Sequence, residues 1–266
     1  MTGPLIIIGG HEDKQGEREI LTAVADHLAG RNLALATVAS QEPAGYLDTY
    51  REAFAGLGVG EIVELSVNHR GEASDERVLS SLNDVGGVFF GGGDQLRISS
   101  LIGDTPVERR VREIWEAGGL IAGTSAGASV MTETMLVRGT SAETYRIGDI
   151  AMAPGLGLLQ NVVIDQHFAE RGRIGRLLGA IAHNPRMLGV GIDEDTAVIV
   201  AGNEMRVIGS GAVYVVDAGA STSSNVADAS PDSTLSLHNV LLHLLSRGDT
   251  FLLDERAPGP NVAKTR

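Results

Sequence analysis

Short runs of apolar residues alternate with segments of helical periodicity through the first half of the chain, and this alternation restricts the fold more than any other feature. The runs at Leu5–Ile8, 33–39, 61–67, Val85–Phe90 and 120–123 suit strands buried on both faces, as parallel strands covered by helices are. Between them, residues 15–28 place Ile20, Leu21, Val24 and Leu28 on one face, and 43–57, 74–82 and 106–117 read as further helices. No hairpin signal interrupts this order. The fold class expected is α/β, a doubly wound, mostly parallel sheet flanked by helices, with ligands beyond the carboxyl ends of the strands. A single domain over residues 1–266 is expected, because α/β folds of this length often run as one unit.

The fifth run ends on Gly123-Thr124-Ser125-Ala126-Gly127, where another helical segment begins. Strand, tight turn and helix with Gly-x-Ser-x-Gly spacing put one side chain on a sharp corner between small neighbours. Ser125 can point its hydroxyl into a cleft there, and the Ala126 amide at the helix start can stabilise an oxyanion. The plainer alternative is a glycine-rich turn with Ser125 as the N-cap. The fourth run ends in Gly91-Gly92-Gly93 before Asp94-Gln95-Leu96-Arg97. Those glycines suit a second oxyanion donor from a different loop, or serve only the turn. The first run ends in Gly9-Gly10, followed by His11-Glu12-Asp13-Lys14, four ionisable residues that suit a site at a strand end but read first as a solvated helix entry. It lacks the Gly-x-Gly-x-x-Gly of dinucleotide binding.

The pattern weakens over 132–160. A short strand at 162–164 then leads into Asp165-Gln166-His167-Phe168, and Arg171, Arg173 and Arg176 stand before the apolar Leu177, Leu178 and Ile181 of a helix. Cations oppose the positive end of a helix, so a bound carboxylate would account for them; pairing with Asp165 or Glu170 is the plainer account. A strand at 187–192 ends in Asp193-Glu194-Asp195, with 197–200 continuing after it. In extended backbone Glu194 faces away from its two acidic neighbours. Residues 204–208 and 212–216 read as a hairpin around Gly209-Ser210-Gly211, 218–234 as a surface loop, 237–245 as a terminal helix, and 256–266 as a frayed tail.

Composition narrows the partners. Acids outnumber bases 34 to 21, for a net charge of −13, which opposes nucleic-acid binding and suits a cationic or small zwitterionic substrate, solubility being the plainer account of it. No apolar run approaches the roughly 20 residues needed to span a bilayer, so no membrane partner is expected. The opening residues carry no signal-peptide pattern, and a cytoplasmic location is expected. With no cysteine, serine or threonine remains for covalent catalysis.

A nucleophilic serine needs a base within reach and a third group to orient it. His27, His183, His238 and His243 lie in or beside expected helices, and His69 in a polar loop. His167 alone sits in a dense polar run after the elbow, and Glu194 ends the next strong strand. The competing order of serine, acid, histidine uses Asp193 or Asp195 with His238 or His243. The first order is preferred because His238 and His243 share an amphipathic, structural-looking helix.

Gly9-Gly10 with Glu12-Asp13-Lys14, FGGGDQLR from Phe90, GTSAGA from Gly123, DQHFAERGRIGR from Asp165 and GIDEDTA from Gly191 occur in this order. Together they resemble the motifs of the cyanophycinases, which share a serine peptidase family with the aspartyl dipeptidases and a fold similar to class I glutamine amidotransferases. The similarity runs from about Leu5 to Leu252, and DQHF with three spaced arginines is its most specific part. It implies Ser125 as nucleophile, His167 as general base and Glu194 as its orienting acid; the oxyanion donors expected are the Ala126 amide with that of Gly93, Gly92 being the alternative. It also implies that Gln95, Asp165, Gln166, Arg171, Arg173 and Arg176 line the substrate site. Gly91 stands where many relatives carry threonine or serine, and His11 receives no role. The substrate implied is cyanophycin, a polyaspartate with arginine on its side-chain carboxyls, released as β-aspartyl-arginine. Short aspartyl peptides are the alternative, and a non-catalytic anion-binding module is the reading outside enzymology. No cofactor or metal is implied; homodimers are.

Overall fold

Strand β1 (Leu5–Ile8) lies inside a nine-stranded sheet and is buried along its whole length in the computed structural model, which describes residues 1–139 and 145–260. Its alternation divides the core. Ile6 and Ile8 face one side with Ile20, Leu21 and Val24 of α1 (Glu19–Leu28), while Leu5 and Ile7 face the other. Successive strand side chains point to opposite faces, so a strand covered on both sides must be apolar throughout.

The chain continues through β2 (Asn32–Ala36), α2 (Tyr46–Ala53) and β3 (Ile62–Leu65). A 3-10 turn at Arg70–Ser74 and the short α3 (Glu76–Ser80) precede β4 (Val85–Phe90). Then come α4 (Gln95–Ile102), α5 (Pro106–Glu116), β5 (Leu120–Thr124) and α6 (Ala126–Ser129). Strands β1, β5, β4, β2 and β3 are neighbours in that order and all parallel. Helix α2 joins α1 on one face, and α4 and α5 cover the other, the double winding expected.

The second half begins with the ribbon β6 (Thr134–Arg138) and β7 (Ala151–Pro154), then β8 (Val162–Gln166), α7 (Ile174–His183) and β9 (Leu188–Ile192). After β10 (Thr196–Ala201), β11 (Glu204–Gly209) and β12 (Val213–Asp217) come β13 (Ser223–Ser224) and β14 (Leu237–His238). The last strands are β15 (Leu241–Leu245), β16 (Thr250–Leu252) and β17 (Ala257–Pro258). Strands β10, β11, β16 and β17 extend the large sheet from β1, each antiparallel to the strand before it. A second sheet, ordered β15-β12-β9-β8, packs on the Leu5 and Ile7 face, with α7 on its far side.

Several expectations need correction. Residues 204–208 and 212–216 are not a hairpin, because Gly209-Ser210-Gly211 carries the chain from one sheet to the other. Each strand has a buried partner elsewhere, β10 and β9, and those pairings override a local turn signal. Residues 237–245 are strand rather than helix: Asn239 takes φ 58°, which stops a helix, and Leu241–Leu245 pairs with β12. Short leucine-rich runs satisfy both periodicities. The helix expected over 74–82 shortens to α3, preceded by Asp75, and Ser74 instead closes the 3-10 turn. Helix α4 was not expected; Asp94 opens it, its carboxylate accepting the Leu96 N–H at 2.9 Å. Residues 257–258 of the expected tail pair with β16, and 261–266 lie outside the described residues. Among the described residues no helix is long and apolar enough to cross a membrane.

Ile7 is fully buried, so Ile7→Ala is expected to cost about 2–5 kcal/mol in urea unfolding. Leu242 on the edge strand β15 is 56% exposed, and Leu242→Ala is expected to stay within about 0.5 kcal/mol.

Candidate active site

Three consecutive carbonyls at the end of β1 collect the segments that carry the candidate residues. Ile8 O accepts the Ser125 N–H at 3.0 Å, Gly9 O the His167 N–H at 2.8 Å, and Gly10 O the Asp195 N–H at 2.9 Å. Ser125 follows β5, a neighbour of β1 in the same sheet; His167 follows β8 and Glu194 follows β9, both in the second sheet. The site thus lies at strand carboxyl ends where the two sheets meet.

The side chains form a continuous hydrogen-bonded chain. His167 Nε2 lies 3.0 Å from Ser125 Oγ, and its Nδ1 lies 2.7 Å from Glu194 Oε1. An ionised carboxylate only accepts, so Nδ1 carries the proton and Nε2 is left to accept from the serine hydroxyl. Burial lowers the His167 pKa from its ordinary 6.5, the Glu194 bond opposes that shift, and the Arg171 charge adds to it. Glu194 is held below its usual value: desolvation pushes it up, but hydrogen bonds from His11 and His167 outweigh that. His11 Nδ1 donates to Glu194 Oε2 at 2.8 Å, so the two carboxylate oxygens serve two imidazoles.

The local backbone is strained where these residues sit. Ser125 has φ 54° and ψ −110°, and His11, His167 and Asp195 have φ of 48°, 49° and 45°. Each such conformation costs a non-glycine residue on the order of 1–3 kcal/mol, and clusters of them mark functional sites. Small neighbours make the corner feasible. A Cβ on Gly127 would fall 2.2 Å from Phe90 O, so the turn after Ser125 can press against β4 only as glycine. A Cβ on Gly10, itself at φ 112°, would fall 2.2 Å from His167 Cε1; the imidazole lies directly on that backbone.

Of the three glycines after β4, Gly91 gives its N–H to Ala36 O and Gly92 gives its own to the Tyr46 hydroxyl at 2.8 Å. The exposed Gly93 N–H has no acceptor among the described residues, nor has the Ala126 N–H at the start of α6. A Cβ on Gly91 would meet the Tyr46 hydroxyl at 2.7 Å, so a side chain there requires the Tyr46 ring to shift.

Gln95 begins α4 and donates from Nε2 to Leu136 O at 2.8 Å. Asp165 is fully buried and accepts from Arg176 through both oxygens, Nε to Oδ2 at 2.7 Å, while Arg173 Nη1 reaches Oδ1 at 3.2 Å. Arg173 Nη1 also donates to the backbone and side-chain oxygens of Gln166, yet its buried Nε has no partner among the described residues. Burial lowers the Arg173 pKa to about 10 against the opposing pull of Asp165. Two arginines therefore share one carboxylate, and Arg171 alone of the three is exposed.

The competing order of serine, acid and histidine is not assembled. Asp193 accepts the Ala169 and Ala212 N–H groups, and Asp195 accepts from the Asp13 N–H and the Ser210 hydroxyl. His238 contacts Ser236 Oγ, and His243 stacks edge-on against Phe251.

Residues 5–208 match the family model described as peptidase family S51. The chain belongs to peptidase family S51. Its similarity to curated S51 proteins runs almost end to end. It is 40% identical to a cyanophycinase of Synechococcus elongatus over 255 residues, covering 94% of this chain and 79% of that protein. It is 41% identical to a cyanophycinase of Trichormus variabilis over 263 residues, covering 97% and 88%. A crystal structure of a peptidase from an acI-B1 actinobacterium shares the fold with TM-score 0.68 and 20% identity, covering 95% of this chain and 97% of that one.

Two parts of this S51 chain escaped the sequence reading. Glu12 is not in a solvated helix entry; it is 3% exposed and accepts from Thr124 Oγ1 at 2.6 Å, Lys14 Nζ at 2.7 Å and the Tyr50 hydroxyl. Desolvation raises its pKa, but the Lys14 charge and the three donors outweigh this and leave it below 4.5. It ties the residue before Ser125 to α2, whose Tyr46 stacks on Tyr50 and holds Gly92. A charged triplet one residue after a glycine pair at a central strand end was the available signal. His11 is the other, and its position three residues past β1 carried no distinguishing pattern.

Thr124→Val removes one donor to the buried Glu12 carboxylate without changing volume. Loss of a hydrogen bond to a charged group is expected to cost about 1.5–3 kcal/mol in chemical denaturation, with α2 and the elbow losing hydrogen-exchange protection together.

Proposed function

We propose that this S51 peptidase hydrolyses cyanophycin from a chain end to β-aspartyl-arginine dipeptides through an acyl-enzyme on Ser125. The observation that carries the chemistry is the unbroken chain from Ser125 Oγ to His167 to Glu194. The substrate rests on the relatives named cyanophycinase at 40 and 41% identity.

In this reading Ser125 attacks a backbone carbonyl of the polymer while His167 Nε2 takes the hydroxyl proton, and Glu194 stabilises the imidazolium that forms. The oxyanion rests on the Gly93 and Ala126 amides, donors with no acceptor of their own among the described residues. His167 returns its proton to the leaving amine, and water, activated by the same imidazole, releases the dipeptide. Arg171 is the exposed cation for a substrate carboxylate. Asp165, Gln166, Arg173 and Arg176 shape the wall behind it, and Gln95 lines the opposite loop. An excess of acid over base elsewhere suits a guanidinium-bearing polymer. Cytoplasmic location and a homodimer belong to the same proposal, to be tested by fractionation and sedimentation; the exposed Leu241, Leu242 and Leu244 offer the dimer an edge.

A second reading, a dipeptidase on short aspartyl peptides, draws on Asp165 already neutralising much of the Arg173 and Arg176 charge. One exposed arginine matches one substrate carboxylate.

Mass spectrometry of the protein incubated with cyanophycin is expected to show β-aspartyl-arginine, and Ser125→Ala to lower kcat by about 10^4- to 10^6-fold. Release of product only from short aspartyl peptides would select the second reading, and full turnover by Ser125→Ala would overturn both. The acid limb of kcat/KM is expected below pH 6.5, because burial lowers the His167 pKa and a base must be unprotonated to act.

A further inference from the structure

His11, His167 and Glu194 bring one nitrogen or carboxylate donor each to within 4.8 Å of one another. Two of the three belong to the hydrogen-bonded chain described above; His11 does not. It approaches from the loop after β1, with its ring edge-on to His167 at 5.0 Å between centroids and its Nδ1 on Glu194 Oε2. Both Nδ1 atoms therefore address the same carboxylate, one on each oxygen.

From this juxtaposition we infer that His11, His167 and Glu194 form an inhibitory site for a borderline divalent cation of the zinc type. Two imidazoles and one carboxylate are a donor set that Zn2+ takes with three protein ligands and one water. Tetrahedral bonds of about 2.1 Å put neighbouring donors about 3.4 Å apart. The contraction needed is small for His11, which is 71% exposed at its side chain and can swing toward the pair. His167 is held by the Gly10 backbone beneath its ring, and the Glu194 carboxylate already lies between the two rings.

Coordination would disable the base without blocking the substrate cleft. A metal on His167 Nδ1 needs the lone pair there, so the single imidazole proton moves to Nε2. An Nε2–H can donate to Ser125 Oγ but cannot accept its proton. The His11 proton likewise moves to its outer nitrogen, and no oxidant or additional proton donor is needed. The charges around the site partly offset one another: Arg171 faces His167 and opposes a cation, while Glu170 Oε1 accepts the Glu194 N–H and favours one. Hard cations such as Mg2+ gain little from two imidazoles.

This inference deepens the reading of the Ser125 site, and calorimetry separates the two because it does not depend on turnover. Zn2+ chloride alone is titrated into the full chain and into Ser125→Ala, His11→Ala and His11→Asn, asparagine being tolerant of the positive φ at this position. Circular dichroism reports whether each variant is folded. One Zn2+ per chain is expected in wild type and Ser125→Ala, with affinity at least tenfold weaker in the His11 variants, since even outer-shell substitutions cost about 10- to 100-fold. In the peptidase assay Zn2+ is expected to lower kcat with little change in KM, EDTA to restore it, and each His11 variant to need at least about tenfold more Zn2+ for half inhibition of its own metal-free rate. Equal Zn2+ binding by wild type and a folded His11 variant would overturn the proposal. So would equal inhibition by Mg2+.

Discussion

Backbone carbonyls at the end of β1 are the constraint on which the site depends. The last residues of a parallel strand leave acceptors that no further ladder satisfies, and buried backbone groups must find partners. Here Ile8, Gly9 and Gly10 give theirs to the N–H groups of Ser125, His167 and Asp195 in succession. A backbone hydrogen bond contributes only about 1 kcal/mol to stability. Its larger effect in this fold is positional: three segments that are remote in the chain are indexed against one rigid, doubly covered strand. That is why the serine comes from the large sheet and the histidine and glutamate from the small one.

Charge is arranged around this frame in pairs. Buried Asp165 is met by Arg173 and Arg176, and buried Glu12 by Lys14, Thr124 and Tyr50. Unpaired, either carboxylate would carry a large desolvation penalty; with its partners it becomes a rigid spacer behind a working surface. Glu12 braces the residue before Ser125, and Asp165 braces the turn that ends in His167. The positive φ at His11, Ser125, His167 and Asp195 is the strain these braces hold in place.

The parallel half of the large sheet was legible because each strand announces itself twice, by a continuous apolar run and by the amphipathic helix that follows. The antiparallel half was less so. Strands β11 and β12 carry the local marks of a hairpin, and β15 the leucine spacing of a helix, yet each is decided by a partner far away in sequence. Glycine doublets marked the strand ends correctly, but whether the charged residue after one is solvated or buried depends on what packs above it, and for Glu12 that is α2.

By itself the sequence determined the α/β class, the elbow at Ser125 and the separate residues His167 and Glu194, because strand ends, glycine spacing and polar clusters after apolar runs are local properties of a chain. Tertiary structure alone decided that β8 and β9 stand in a second sheet, that the Asp193–Asp195 link crosses between sheets, and that His11 shares Glu194 with His167. Those depend on contacts between segments that are not neighbours in the chain, and no local pattern encodes them; only the packing of two sheets on one strand does.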